Sequence, residues 1–220
     1  MTPRLKSEAV RCCCQDLNPQ EEIQKEANSE ADDMRVIAGS ARRLNLVTPK
    51  GNMTRPTSDM IKETLFNIIS DRLYNVSFLD LFSGSGQIGI EALSRGAASC
   101  TFIEKDKNAV ASIRKNLETT HFTDKATVFP YDVLSSLGSI DRGEGFDIVF
   151  MDPPYNNGIE KSVLGILSGS DIINKDSLII VESSADTDFD YLDSLGFEVM
   201  RIKEYKNNKH VFIKPVGRHI

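Results

Sequence analysis

Four short segments of this chain carry side chains whose type and spacing could do chemistry. In Phe78-Leu79-Asp80-Leu81-Phe82-Ser83-Gly84-Ser85-Gly86-Gln87-Ile88-Gly89 an apolar run enters a glycine-rich turn. That order predicts a buried strand, a tight turn and a helix, with backbone open to close approach by a ligand at the strand's carboxyl end. The glycines also satisfy the dinucleotide pattern G-x-G-x-x-G, so alone they do not separate NAD from S-adenosylmethionine. Asp80 favours the latter. A carboxylate at the mouth of the turn would repel a pyrophosphate and attract an ammonium and a sulfonium. Asp80, Phe82, Ser83, Gly84 and Gly86 are therefore the expected cofactor contacts in this segment. Ile103-Glu104-Lys105 ends the next apolar run, and an acid there can accept hydrogen bonds from both ribose hydroxyls. Tyr131-Asp132-Val133 follows the third run, where Asp132 either takes an adenine amino group or caps a helix.

The fourth segment is Phe146-Asp147-Ile148-Val149-Phe150-Met151-Asp152-Pro153-Pro154-Tyr155. Proline cannot sit inside a central strand, so Pro153-Pro154 stops the strand and fixes a rigid loop at the sheet's carboxyl edge. The loop displays the Asp152 carboxylate beside the Pro153 carbonyl, and the prolines add no N–H of their own. Tyr155 offers an aromatic face to an unstacked base. Asp-Pro alone would mean only a capped strand end. Following a glycine turn and a fourth strand, Asp-Pro-Pro-Tyr is far more specific.

These segments need a scaffold that brings strand ends together. Apolar runs at Phe78–Phe82, Cys100–Ile103, Ala126–Phe129, Phe146–Met151 and Ser177–Val181 alternate with helical stretches near 88–95, 107–118, 133–139 and 157–168. Such alternation predicts a doubly wound, mostly parallel sheet. Phe197–Ile202 and His210–Ile213, flanking Tyr205-Lys206-Asn207-Asn208, predict a closing antiparallel pair. Upstream, Arg35-Val36-Ile37-Ala38 and Leu44-Asn45-Leu46-Val47 predict a small hairpin, and Thr57-Ser58-Asp59 caps a helix over Met60–Ser70. Residues 1–33 are polar and without periodicity, which predicts a disordered acidic tail. The expected organisation is that tail, a hairpin and helix over 34–75, and a catalytic core over 76–220.

With 40% hydrophobic and 26% charged residues the composition is that of a globular protein. No apolar run nears the roughly 20 residues of a membrane span, and the first residues lack a secretory signal's apolar core. Cys12-Cys13-Cys14 and Cys100 form neither a disulfide framework nor a paired metal-ligand spacing, so a reducing, cytoplasmic setting without a metal is expected. The net charge of −6 is uneven, because residues 1–34 hold eight acids against four bases. Residues 35–55 carry Arg35, Arg42, Arg43, Lys50 and Arg55 with no acid, and residues 199–220 carry six bases against Glu204. Both stretches could contact phosphates.

Asp-Pro-Pro-Tyr resembles the catalytic motif of amino methyltransferases, which modify N6 of adenine, N4 of cytosine or N2 of guanine. Met34-Arg35-Val36-Ile37-Ala38-Gly39, Thr54-Arg55-Pro56-Thr57-Ser58-Asp59 and Lys62-Glu63-Thr64-Leu65-Phe66-Asn67 narrow the match. With the glycine turn and Tyr205-Lys206-Asn207-Asn208-Lys209, residues 34–220 resemble the bacterial 16S ribosomal RNA guanine-N2 methyltransferase family known as RsmD. The resemblance implies a Rossmann-like class I methyltransferase, α/β, with a seven-stranded sheet. It implies S-adenosylmethionine as cofactor, held by the residues above together with Lys105 and Val133. It also implies catalysis at Asp152, Pro153, Pro154 and Tyr155, with ribosomal RNA or a partly assembled small subunit as partner and a monomeric enzyme. Arg35, Arg42, Arg43, Arg55 and Thr57 are the expected RNA contacts. No strong general base is required, and no histidine lies near these motifs in sequence. Two alternatives stay open: a DNA adenine-N6 methyltransferase, which shares both core motifs, and a dinucleotide-binding oxidoreductase or nucleotide-binding module.

Overall fold

The strand that runs into Asp152-Pro153-Pro154 ends where proline forbids continuation. The computed structural model describes residues 34–49, 58–140, 145–155 and 157–216. The strands are β1 (Ser77–Leu81), β2 (Ser99–Ile103), β3 (Ala126–Phe129), β4 (Phe146–Met151), β5 (Ile173–Ser184), β6 (Phe197–Glu204) and β7 (Asn208–Pro215). Between them run α1 (Asp59–Ile68, ahead of β1), α2 (Gln87–Ser94), α3 (Lys107–Thr120), α4 (Val133–Ser136) and α5 (Ile159–Ser168). The sheet order is β3-β2-β1-β4-β5-β7-β6, with β5·β7 and β6·β7 antiparallel and the other pairs parallel. This is the predicted class. The order reverses between β1 and β4, the switch point where an open α/β sheet forms its crevice.

Alternate residues of the strands feed two cores. Phe78, Phe102, Phe150, Ile180 and Phe212 pack with α1, α2 and α3. Leu79, Leu81, Val149, Met151 and Val181 pack with α4 and α5 on the other face. The two predicted closing strands extend further, because polar Lys203, Glu204, Asn208 and Lys209 pair in the exposed hairpin. β5 also starts earlier than its apolar run. Asn174-Lys175-Asp176 masks that start, with Asn174 N donating to Ser177 Oγ (2.8 Å) beside a register shift against β4.

The N-terminal hairpin forms as predicted, joined by the Arg35–Asn45 bridge and by Val36 N to Leu44 O at 3.0 Å. It is anchored by charges the sequence makes look superficial. Glu91 is fully buried, and its oxygens accept Ile37 N (2.8 Å) and Ala38 N (3.0 Å) while Arg95 pairs with it at 2.8 Å. Lys62, equally buried, donates to Arg35 O at 2.6 Å. Gly39, at φ +86°, lies so close to α2 that a Cβ would sit 1.9 Å from Ser94 O. Ser58 caps α1 as expected, accepting from Ile61 N. Among the described residues, no helix is long and apolar enough to cross a membrane.

Candidate active site

The glycine turn follows β1 in a backbone conformation that explains its composition. Phe82, Gly84 and Gly86 all take positive φ (62°, 54° and 78°). Gly84 has nothing within 4 Å of where a Cβ would stand, so its missing side chain leaves open space. Gly86 begins α2 against Phe102 and Ile113, and Gly89 sets the helix down so closely that a Cβ would be 2.3 Å from Phe102. Phe82, a non-glycine residue held at positive φ, marks local strain of the kind that collects at binding sites.

Asp80 lies beneath this turn rather than at its open mouth, 1% exposed, and its Oδ2 accepts Gly89 N at 3.0 Å. Burial pushes its carboxyl up to about 7, and the neighbouring Glu104 adds to that rise against the Gly89 hydrogen bond. Among the described residues no cation pairs with it. Glu104, one residue past β2, faces the turn. Its Oε2 accepts Gly84 N at 2.9 Å and its Oε1 accepts Asp106 N at 2.8 Å, so one carboxylate fixes both loops that flank the crevice. Ser83 is buried, and its hydroxyl donates to Asp80 O at 2.7 Å and accepts Ile103 N at 3.1 Å. Its side chain thus braces the turn, leaving backbone as what it can offer a ligand.

Asp132 performs the capping role, accepting Leu134 N at 3.1 Å, while its other oxygen lies 3.6 Å from the exposed Lys105 ammonium. The Val133 side chain is buried in the second core, so only its backbone can face a ligand. Arg35 is exposed and pairs with Asp59 at 3.1 Å. Arg42 and Arg43 are exposed on a turn that docks on Ser94, the end of α2 remote from the glycine turn. At eight residues, α2 separates those two ends by about 12 Å. Arg55 and Thr57 lie outside the described residues, as do the triple cysteine and residues 1–33.

The Asp-Pro-Pro-Tyr loop leaves β4 beside the end of β1, with Asp152 N reaching Leu81 O at 3.5 Å. Pro153 is buried, and Pro154 and Tyr155 are exposed. Burial pushes the Asp152 carboxyl well above the usual carboxylate range, and the nearby charges of Glu182 and Asp80 add to it. The Tyr155 hydroxyl donates to Glu182 Oε1 at 3.2 Å. Glu182, on β5 and 4% exposed, also accepts Asn208 Nδ2 at 2.6 Å and meets His210 Nε2 at 3.1 Å. Burial works to raise Glu182, but the hydrogen bonds from His210, Asn208 and Tyr155 outweigh it and hold its carboxyl below the ordinary value.

The fold adds a histidine behind the motifs, although 55 positions separate Tyr155 from His210 in sequence. It touches Glu182 rather than the open crevice, so it is no candidate base. Sequence reasoning missed Glu182, Asn208 and His210. The one available signal was an acid at the end of an apolar strand, repeated from Asp80 and Glu104. Four carboxylates, Asp80, Glu104, Asp152 and Glu182, thus surround the crevice at the carboxyl edge. Such an edge holds cations and hydrogen-bond donors and opposes phosphate. Among the described residues, no group of three or more His, Cys, Asp or Glu is placed to hold a metal ion.

A family model described as "Conserved hypothetical protein 95" matches residues 34–214. The "Putative rRNA methyltransferase YlbH" of Bacillus subtilis (strain 168) is 37% identical over 172 residues, covering 78% of this chain and 92% of its own. The "Ribosomal RNA small subunit methyltransferase D" of Escherichia coli (strain K12) is 35% identical over 164 residues, covering 74% and 81%. A solved structure, "Putative methyltransferase yhhF from Escherichia coli", superposes with a TM-score of 0.74 at 32% identity, covering 84% of this chain and 98% of that one.

Proposed function

Since this chain belongs to the conserved hypothetical protein 95 family, which takes in the RsmD methyltransferases, we propose that it methylates the N2 amine of a guanine in small-subunit ribosomal RNA, with S-adenosylmethionine as donor. The observation that carries this reading is the acidic crevice at the switch point, closed on one side by the proline-locked Asp152 loop.

The residues present suit that cofactor. Asp80 is a buried carboxylate raised to about 7 with no cation beside it among the described residues, so a cationic ligand would relieve it. A dinucleotide would instead bring its pyrophosphate against Asp80 and Glu104. Open space at Gly84 leaves room for a ligand to approach the backbone, and Glu104 stands where ribose hydroxyls could donate to it. Lys105, Asp132 and the backbone of Phe82, Ser83, Gly86 and Val133 would complete the cofactor contacts. Bound there, S-adenosylmethionine supplies an electrophilic methyl group.

The chain's own residues deal with the amine. A guanine exocyclic nitrogen is a poor nucleophile because its lone pair is delocalised into the ring. Hydrogen bonds from that NH₂ to the Asp152 carboxylate and the Pro153 carbonyl favour a pyramidal nitrogen and stabilise the positive charge that develops on it. The two prolines hold both acceptors in place beforehand, and Tyr155 orients the base by stacking. With a proton affinity raised by burial, Asp152 is also able to hold the proton that the nitrogen releases. Guanine presents N1–H on one side of its amino group, so a carboxylate on that side meets two neighbouring donors.

The test is transfer of labelled methyl from S-adenosylmethionine to RNA from a strain lacking the gene, followed by nucleoside analysis. N2-methylguanosine from small-subunit ribosomal RNA is expected. N6-methyladenosine in DNA would exclude the guanine assignment and leave the amino-methyltransferase class standing.

A further inference from the structure

Two prolines make the Asp152 loop stiff, but they do not orient the Tyr155 ring. Prolines restrict backbone φ at positions 153 and 154, whereas the ring turns on its own side-chain bonds. The Tyr155 hydroxyl is held instead from the neighbouring strands, donating to Glu182 Oε1 at 3.2 Å with the Asn208 side chain also in hydrogen-bond contact. We propose that Glu182 is the positioning residue of this site: through Tyr155 it sets the aromatic platform, and through its charge it readies Asp152 to take the proton that the amine releases. The proposal rests on the amino-methyltransferase reading above and names a residue that the motif itself does not contain.

Sheet register puts Glu182 where it can do both. Met151 pairs with Val181 across the parallel β4·β5 ladder, so Asp152 and Glu182 are the next residues outward on adjacent strands. Neighbouring strands are about 4.8 Å apart, close enough for each carboxyl to feel the other's charge. On its other side Glu182 pairs with His210 across β5·β7. The imidazole is buried, lies edge-on to Phe150 and Phe212, and meets the Tyr205 hydroxyl at 3.4 Å. Asn208, the first residue of β7, adds the second bond to Oε1. The carboxylate is thus held from β7 by two side chains of one paired strand, and Tyr155 reaches it from the loop after β4.

A carboxylate this buried is costly unless it is fully hydrogen-bonded, and an apolar residue would serve a strand interior better. Tying β5 to β7 needs nothing from Tyr155, since the two strands already share six paired positions. What the third hydrogen bond adds is a fixed direction for a ring on the exposed loop. The closing antiparallel hairpin, remote in sequence from the Asp152 motif, thereby supplies the anchor of the site.

Three variants test this: E182Q keeps the shape and an acceptor but removes the charge, E182L removes both, and Y155F removes only the hydroxyl. Methyl transfer to RNA should fall about 10-fold in kcat for E182Q and about 100-fold for E182L, with the KM for RNA changing by less than about 3-fold. Affinity for S-adenosylhomocysteine should stay within about 2-fold, since the glycine turn is untouched. Because Y155F and E182L share one broken contact, adding Y155F to E182L should cost less than Y155F costs alone. An E182L enzyme with near wild-type kcat overturns the proposal, and so do strictly additive losses.

A second measurement does not depend on activity. With ¹³C-labelled tyrosine, the Tyr155 signal should shift in E182Q and its phenol should titrate at lower pH, because the Glu182 charge helps to raise it. An unchanged Tyr155 signal in folded E182Q overturns the positioning role by itself. If wild-type protein transfers no methyl to RNA, the functional reading fails, and this spectrum still decides whether Glu182 holds the ring.

Discussion

Replacing Asp80 by Asn should make the ligand-free protein more stable at neutral and alkaline pH, while weakening its hold on a cationic cofactor. Asp80 is buried, and its carboxyl lies at about 7 rather than at its ordinary 3.8. The folded protein therefore keeps a proton that the unfolded chain has already released. The stability this contributes is complete below pH 3.8, declines as pH rises, and is lost once pH passes about 7. The span is about 3 pH units, and at 1.36 kcal/mol per unit it amounts to about 4 kcal/mol. Between pH 5 and 8 roughly 3 kcal/mol of it is in play. Asparagine is neutral throughout and can still accept from Gly89 N. Urea unfolding of D80N and wild type at both pH values should show a difference that grows by roughly 3 kcal/mol toward pH 8. Subtracting the two proteins cancels every other titrating group. In wild type, S-adenosylmethionine should bind more tightly as pH rises through 7, and in D80N this dependence should vanish. Identical pH slopes for the two proteins would refute both the protonated Asp80 and its part in choosing a cation.

Asp152→Ala should lower methyl transfer by about 10²-fold while cofactor affinity stays within a few fold, because it removes an acceptor but leaves the glycine turn and Glu104. Transfer at the normal rate would mean the site is elsewhere. Glu104→Ala frees Gly84 N and Asp106 N together and should weaken cofactor binding by roughly 1–3 kcal/mol in calorimetry. Unchanged affinity would end its ribose role. Gly39→Ala places a Cβ 1.9 Å from Ser94 O at φ +86° and should cost roughly 2–4 kcal/mol in urea unfolding. A change below about 1 kcal/mol would mean that the hairpin does not dock on α2 as described.

Much of the candidate site was legible before any coordinates. The glycine turn, the acids at the ends of β1 and β2, and the Asp-Pro-Pro-Tyr loop are each contiguous in the chain. The class of fold was legible too, since apolar runs of strand length alternated with helical spacing. Where the sequence misled, polarity was the reason. Lys62 and Glu91 are charged residues within helices, yet both are fully buried to hold the hairpin. Asp132 kept two roles open in sequence, and in the fold it caps α4 while facing Lys105. The start of β5 was hidden by Asn174-Lys175-Asp176, and the ends of the last hairpin by lysines and asparagines on its exposed edge.

Local composition determined the features that act over a few residues. Glycine reaches positive φ at 84 and 86 without strain, and proline cannot continue β4, so a turn and a stop arise wherever the rest of the chain lies. Only the tertiary structure decided what stands behind Tyr155. Glu182 and His210 are 28 positions apart, and their meeting depends on the antiparallel register of β5 and β7. A slip of one residue in that register would turn either side chain to the opposite face of the sheet. Register is set by the packing of both cores at once, and no stretch of sequence contains that information by itself.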